Sequence, residues 1–129
     1  MANKQDNDAV QQYKGYVEQK LQNLCLSIVN LINQTALPNV EAHIKKHMLH
    51  FDEIYIEERA FFYKLVGDYY RYASEATSRS TQEQKDLCKN GALESYNKCM
   101  SISKKGLKPY NTVRLGLALN FSVFQYEIM

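Results

Sequence analysis

A charged stripe lies near the middle of the chain, where Lys64, Asp68 and Arg71 recur at helical spacing and Tyr72 follows directly. Residues three and four apart share one face of a helix. The planar fork of an arginine suits two phosphate oxygens, a lysine adds a point charge, and a tyrosine hydroxyl can donate to a third oxygen. The stripe is therefore a candidate anion clamp. From spacing alone, an ordinary ion-paired helix face, worth about 0.3–0.5 kcal/mol per pair, is the favoured explanation.

A second mixed stripe lies near the end of the chain, where Gly116, Asn120, Val123 and Glu127 share one helical face. An asparagine on an otherwise apolar helix is costly to bury without a hydrogen-bond partner. Its amide could hold the backbone of an extended peptide, with Leu119 and Val123 as an apolar wall. It could equally bridge to a neighbouring helix, and the pattern does not choose between these roles.

The three histidines form another candidate site, because His43, His47 and His50 would share one face of a helix. That arrangement could bind zinc or nickel. An exposed polar helix face is the favoured alternative, so we predict no metal and no other cofactor. The sequence also lacks a G-x-S-x-G elbow, a Walker loop and an H-E-x-x-H pair. We therefore predict that the protein is not an enzyme.

The composition bounds the class of protein. A chain of 129 residues with 45% hydrophobic residues suits one domain or part of one. With Gly 5 and Pro 2, it has too few turn residues for a sandwich or barrel of short strands. A net charge of +2 gives no general reason to expect nucleic acid or a membrane as partner. The N-terminus has no apolar signal core, so we expect no secretory peptide.

Three scattered cysteines, Cys25, Cys88 and Cys99, lie inside helical patterns. An odd number without C-x-x-C spacing predicts buried thiols in a reducing compartment rather than disulfides. The sequence therefore predicts a cytoplasmic protein.

Apolar periodicity predicts that the first helix runs from Gln11 to Thr35, after an irregular polar start over residues 1–10. Pro38 is expected to end this helix, because the residue before a proline is pushed out of the helical region. Residues 39–56 could form a short helix and a turn, or lead into the next helix. The apolar stripe expected to face the core comprises Val17, Leu21, Leu24, Cys25, Ile28, Leu31 and Ile32.

A second helix is predicted from Glu57 to Ala76, followed by a loop over residues 78–81. Ser80 and Glu83 have the spacing of a capping box for a third helix that ends near Lys105. The apolar arc of the second helix comprises Phe61, Phe62, Leu65, Tyr69, Tyr72, Ala73 and Ala76.

A last helix is predicted from Thr112 to Met129. It is apolar nearly all round, which predicts burial on more than one side and an incomplete domain that needs more chain or a partner. Together, these elements predict an all-α, antiparallel helical bundle or array.

Four segments resemble the 14-3-3 family. They are GDYYRYASE at 67–75, ISKKGLKP at 102–109, the long and specific RLGLALNFSVFQYEI at 114–128, and VEQKLQNLCLSIVNLINQTALPN, which is similar to the family's fourth helix. The resemblance covers about residues 13–37 and 57–129, with a divergent connector between them. It implies that residues 1–129 form part of an all-α adaptor of nine antiparallel helices. Such an adaptor dimerises and binds phosphoserine or phosphothreonine peptides in an amphipathic groove.

The resemblance also assigns roles to the two stripes, as facing sides of one groove. Asn120 matches the family's peptide-holding Asn, Leu119 and Val123 its apolar wall, and Glu127 its acidic groove residue. The resulting candidate residues are Arg71, Tyr72 and Lys64 for phosphate, and Asp68, Gly116, Leu119, Asn120, Val123 and Glu127 for the peptide groove.

The departures from the family pattern predict reduced function. The family's first three and last three helices have no counterpart here, and with them go a second Lys and a second Arg of the phosphate pocket. Each lost charge-assisted hydrogen bond costs about 1.5–3 kcal/mol, so we expect weak phosphopeptide binding or none. A homo- or heterodimer should also be weakened, because Lys20 stands where the family has Glu and Tyr16 where it has Lys, although Tyr13 fits. The alternative is a structural helical module that binds partners independently of phosphate.

Overall fold

The structure is a computed structural model that describes residues 4–76 and 79–128, and within these residues it contains helices and no strand. The all-α prediction is therefore confirmed. Parts of three predicted segments lie outside the described residues: Met1–Asn3 of the irregular start, Ser78 of the loop and Met129 of the last helix. The elements are α1 (Lys4–Leu31), a π-helical turn (Ile32–Ala36), α2 (Leu37–His47), α3 (Glu53–Glu75), α4 (Gln82–Gly106) and α5 (Thr112–Ile128).

The first helical rod differs from the prediction at both ends. It begins at Lys4, inside the stretch expected to be irregular, and it continues past Pro38 into α2. The backbone N–H of Leu37 bonds to the Ile32 carbonyl five residues back, so the helix widens just before the proline. Pro38 then lies in the first turn of α2, where its missing N–H is not needed. The expectation that the proline ends the helix was wrong.

The segment 39–56 forms a short helix and a turn, the first of the two predicted alternatives. α2 ends at His47, and Met48 directly after it adopts the left-handed conformation with φ 56°. Asp52 then caps α3, because its carboxylate accepts a backbone N–H of the first turn at 3.0 Å. α3 therefore begins at Glu53, one turn before the predicted Glu57.

The predicted capping box of α4 is displaced by one residue. Thr81 and Gln84 form it, each side chain accepting the backbone N–H of the other. Ser80 serves another purpose, because its hydroxyl accepts a hydrogen bond at 2.7 Å from the amide of Gln22 on α1. That amide also donates to the carbonyls of Ala73 and Ala76, so α1 caps the end of α3.

Only one side of α1 faces the core. Cys25 and Val29 of α1 are buried together with the polar Gln22, and Ile32 of the π-helical turn continues the buried side. Four of the seven residues of the predicted stripe are exposed, because α1 packs on α3 through a single face and the described chain places nothing over the other. The exposed members are Val17, Leu21, Leu24 and Leu31.

The predicted arc of α3 is likewise divided, with Ala73 buried and both Phe61 and Tyr72 exposed. α5 has a similar division: Leu117, Phe121 and Phe124 are buried, and Leu115, Leu119 and Tyr126 are exposed. Helical periodicity identified the apolar positions but not which of them a neighbour covers.

α3 is the central element and packs against every other helix. Its most intimate contact is with α4, where the ring of Tyr96 lies against Gly67. Tyr96 is fully buried and stacks on Phe121 of α5 with ring centroids 5.4 Å apart. The core that positions the candidate site therefore joins α3, α4 and α5.

Replacing Gly67 with alanine should destabilise the protein by about 1–3 kcal/mol. A Cβ at this position would lie 2.7 Å from carbons of the buried Tyr96 ring, which has no room to retreat. Urea unfolding followed by circular dichroism measures the effect. Gly116→Ala is the matched control, because its Cβ would meet only the flexible Lys64 stem, at 3.2 Å. Equal stability of both variants would contradict the assigned α3–α4 contact.

The three cysteines are free and buried, as predicted. None of the described helices combines the length and the apolar character needed to cross a membrane.

Candidate functional site

Asp68 is the centre of a hydrogen-bonded cluster that joins three helices. Its carboxylate accepts hydrogen bonds from Lys64 one turn earlier on α3 at 2.8 Å, from the Tyr96 hydroxyl of α4 at 2.5 Å, and from the Asn120 amide of α5 at 3.0 and 3.1 Å. We call these four residues the Asp68 network. Asp68 is only 4% exposed, so the bonds form where water competes little. The network fixes α5 against α3.

Tyr96 is the member of the network that the sequence analysis missed. Its hydroxyl donates to Asp68 and accepts a hydrogen bond from Arg71 Nε at 3.3 Å. Burial, followed by the hydrogen bond to Asp68, raises the pKa of Tyr96 well above its usual range, so the hydroxyl stays neutral. No local pattern distinguishes this tyrosine from the other nine in the chain.

Arg71 is held in one orientation by its neighbours. Its guanidinium lies 4.9 Å from the ring centroid of Tyr72, and Nε points to Tyr96. Its Nη1 atom lies 3.9 Å from Oε1 of Glu75, a side chain that is half exposed. The Nη1 side of the guanidinium therefore faces the half-exposed Glu75 carboxylate.

Tyr72 lies beside Arg71 and, together with Glu75, lines a groove between α1 and α3. It is 39% exposed, and its hydroxyl makes no hydrogen bond among the described residues. That hydroxyl is a free donor next to the guanidinium of Arg71.

Lys64 does not point freely toward an anion site, as the clamp prediction would have it. Its ammonium is bound to Asp68, and its side chain is only 17% exposed. Its stem passes over Gly116 of α5, where a Cβ would lie 3.2 Å from Lys64 Cε. Lys64 therefore balances the Asp68 charge, and Gly116 provides the room for it.

Asn120 bridges two helices, which is one of the two roles considered for it. Its Nδ2 atom donates to both oxygens of Asp68, and this partner fixes which end of the amide is the donor. Its carbonyl oxygen has no hydrogen bond within the described part of the chain, so it can accept one from a ligand N–H. Leu119 is exposed and Val123 half-buried on the same helix.

Glu127 lies beside Glu75, a juxtaposition that the sequence analysis did not predict. Burial, followed by the hydrogen bond and the charge of Glu127, raises the pKa of Glu75, and nearby Arg71 opposes the rise. Two carboxyl groups, one from α3 and one from α5, thus lie close together, and that of Glu75 is next to Arg71.

The histidines do not form the three-ligand site considered from their spacing. His43 and His47 are neighbours on α2, with ring centroids 4.6 Å apart. His50 lies beyond the left-handed turn at Met48, off that helix. Over residues 4–76 and 79–128, no group of three or more His, Cys, Asp and Glu side chains could hold a metal ion.

Comparisons with known proteins agree with the segments singled out above. The family described as "14-3-3 protein" matches residues 1–129, including the 39–56 connector. "14-3-3 protein I" of Plasmodium falciparum is 38% identical over 128 residues, which is 99% of this chain and 43% of that protein. "14-3-3 protein beta/alpha" of Xenopus tropicalis is 35% identical over 95% of this chain and 46% of its own length.

A plant relative gives a similar result. "14-3-3-like protein GF14 epsilon" of Arabidopsis thaliana is 38% identical over 91% of this chain and 40% of its own length. The chain therefore spans less than half the length of these relatives.

Proposed function

Because the chain belongs to the 14-3-3 family, we propose that it is an adaptor, not an enzyme, that binds phosphoserine or phosphothreonine segments of client proteins. The binding site in this proposal is the groove between α3 and α5. Arg71 and Tyr72 bind the phosphate from one side, and Asn120 holds the peptide backbone from the other.

The observation that carries the proposal is the Asp68 network. Asp68 bonds to Asn120 across the groove, and through Tyr96 it connects to Arg71. The proposed phosphate-binding and backbone-binding residues are thereby held in fixed relative positions before a ligand binds, which reduces the conformational entropy lost on binding.

The chemistry at each position follows from the groups that would meet the ligand. The Nη edge of Arg71 offers parallel N–H donors to two phosphate oxygens, and the Tyr72 hydroxyl offers a third. The carbonyl of Asn120 accepts a backbone N–H of an extended segment. Leu119 and Val123 provide an apolar surface beside it. Lys64 contributes to the potential of the groove while it remains bound to Asp68.

The proposed affinity is low. A single arginine and a tyrosine provide fewer charge-assisted hydrogen bonds than a pocket with a second Arg, at about 1.5–3 kcal/mol for each one lost. A homo- or heterodimer is part of the proposal. It is a weak one, since Tyr16 and Lys20 replace the charges expected on α1, although Tyr13 is exposed there. The proposed location is cytoplasmic, in keeping with three unpaired thiols.

Fluorescence anisotropy with a labelled synthetic peptide tests this function. We expect a peptide with one phosphoserine to bind with a Kd of about 0.1–1 mM. The unphosphorylated peptide should show no binding at protein concentrations in that same range. Treatment of the labelled peptide with phosphatase should abolish the signal. Binding that survives the phosphatase would overturn the proposal in favour of the phosphate-independent helical module.

A further inference from the structure

We propose that Glu75, supported by Glu127, is an internal competitor for Arg71, and that these two carboxylates set the affinity of the groove for dianionic ligands. The inference rests on the proposed phosphopeptide function and adds a regulatory element to that same site.

Glu75 occupies the edge of Arg71 that a phosphate needs. Nε of the guanidinium is already directed at Tyr96, which leaves the Nη atoms for a ligand. Glu75 lies one helical turn after Arg71, with Oε1 3.9 Å from Nη1. A phosphate group that binds both Nη atoms of Arg71 through two of its oxygens must displace this carboxylate.

The two partners differ in how firmly they are held. The Arg71 side chain is 11% exposed and stacked on Tyr72, whereas the Glu75 side chain is 49% exposed. Glu75 can therefore swing away while Arg71 stays in place. The Arg71–Glu75 contact is a partly exposed ion pair, so breaking it costs little free energy.

The charges around Arg71 favour its contact with Glu75 over the binding of a phosphate dianion. Asp68 is ion-paired with Lys64, and its charge also stabilises the charged form of Arg71. Glu75 beside Arg71 and Glu127 beside Glu75 add two carboxylates, so three carboxylates are set against two cations, Lys64 and Arg71. Among the described residues, two further titratable groups lie near Arg71 and Glu75. Tyr96 is a neutral hydroxyl, and Glu18, which lies with Glu75 and Tyr72 along the groove between α1 and α3, is paired with Lys14. A phosphate dianion therefore meets net repulsion at the mouth of its own site.

The proximity of the two carboxyl groups supplies a way to relieve that repulsion. A proton shared between Glu75 and Glu127 removes one negative charge, and the raised pKa of Glu75 makes this protonation easier than for an isolated glutamate. Binding of a dianion should therefore draw a proton onto the pair. Glutamine at position 75 removes both the charge and the proton.

Anisotropy with the phosphoserine peptide at low salt tests the competition. We expect Glu75→Gln to tighten binding by about 3- to 10-fold and Glu127→Gln by about 2- to 4-fold, because each removes a negative charge within a few ångströms of the bound phosphate. The gain should shrink at 1 M salt, where screening is strong. Glu94→Gln is the matched control, because Glu94 also forms an exposed i,i+4 pair at 3.9 Å, with Lys98 on α4. It should leave the Kd unchanged.

Calorimetry in two buffers of different ionisation enthalpy gives a second measurement. Proton uptake on peptide binding should be smaller in Glu75→Gln than in the unaltered chain. If Glu75→Gln binds no more tightly while the unaltered chain binds the phosphopeptide through Arg71, only the competition is overturned. If no variant distinguishes phosphorylated from unphosphorylated peptide, the competition and the proposed function both fail.

Discussion

Arg71→Ala is expected to abolish phosphate-dependent binding, with a loss of at least about 30- to 100-fold, equivalent to about 2–3 kcal/mol. Arg71 is the guanidinium that the proposal places against the phosphate, and its contacts with the Tyr72 ring and the Tyr96 hydroxyl fix the direction of its donors. Arg71→Lys should be intermediate, because it keeps the charge and loses the fork that binds two oxygens. Anisotropy with the phosphoserine peptide measures both variants.

Arg59→Ala provides the matched control for this loss. Arg59 also lies on α3, pairs with a glutamate, Glu41, at 3.2 Å, and has its guanidinium 5.8 Å from the ring centroid of a tyrosine, Tyr63. It faces α2 rather than the groove, so its removal should not change peptide affinity. An unchanged affinity in Arg71→Ala, or equal losses in both variants, would refute the assignment of Arg71 as the phosphate ligand.

Asp68→Ala should give the largest change in stability, a decrease of about 3–5 kcal/mol in the free energy of unfolding. The substitution leaves the Lys64 ammonium without its anion and removes the acceptor of the fully buried Tyr96 hydroxyl. It also frees the Asn120 amide, which releases α5 from α3. Urea unfolding monitored by circular dichroism measures the decrease, and loss of a cooperative transition would be its extreme form.

Two comparisons make the Asp68 result specific. Glu94→Ala removes an exposed carboxylate from the neighbouring helix and should cost no more than about 0.5 kcal/mol. Asp68→Asn retains the volume and one acceptor oxygen, so its loss should be smaller than that of Asp68→Ala. Stability of Asp68→Ala within 1 kcal/mol of the unaltered chain would show that the Asp68 network does not hold the helices together.

The elements that could be predicted from sequence are those with local signals. The start of α5 at Thr112 and the end of α4 near Lys105 agree with the structure because Gly and Pro punctuate the chain between them. Pro38 misled the prediction, since a wider π-helical turn accommodates a proline that a regular helix would not. Such a rearrangement depends on several backbone bonds at once and leaves no signature in the residue types.

The candidate site divides in the same way. Stripes on one helix, such as Lys64, Asp68 and Arg71, follow from spacing alone. The contacts that organise them do not: Asp68 meets Tyr96 and Asn120 across sequence separations of 28 and 52 residues. Which helices become neighbours is decided by tertiary packing, and this also determined which side of α1 is uncovered.

The cysteines buried between these helices carry a consequence for reactivity. Cys25 and Cys88 pack in one cluster with Ala73, and Cys99 donates to the Ala60 carbonyl at 3.1 Å. Burial raises the pKa of each thiol, that of Cys99 to about 11. In the folded protein the thiols are therefore both shielded from reagents and protonated, and neither condition favours their reaction with an electrophile. Alkylation of these sulfurs therefore requires local opening of the helix bundle. The labelling rate of each cysteine consequently measures how often its part of the core opens to solvent.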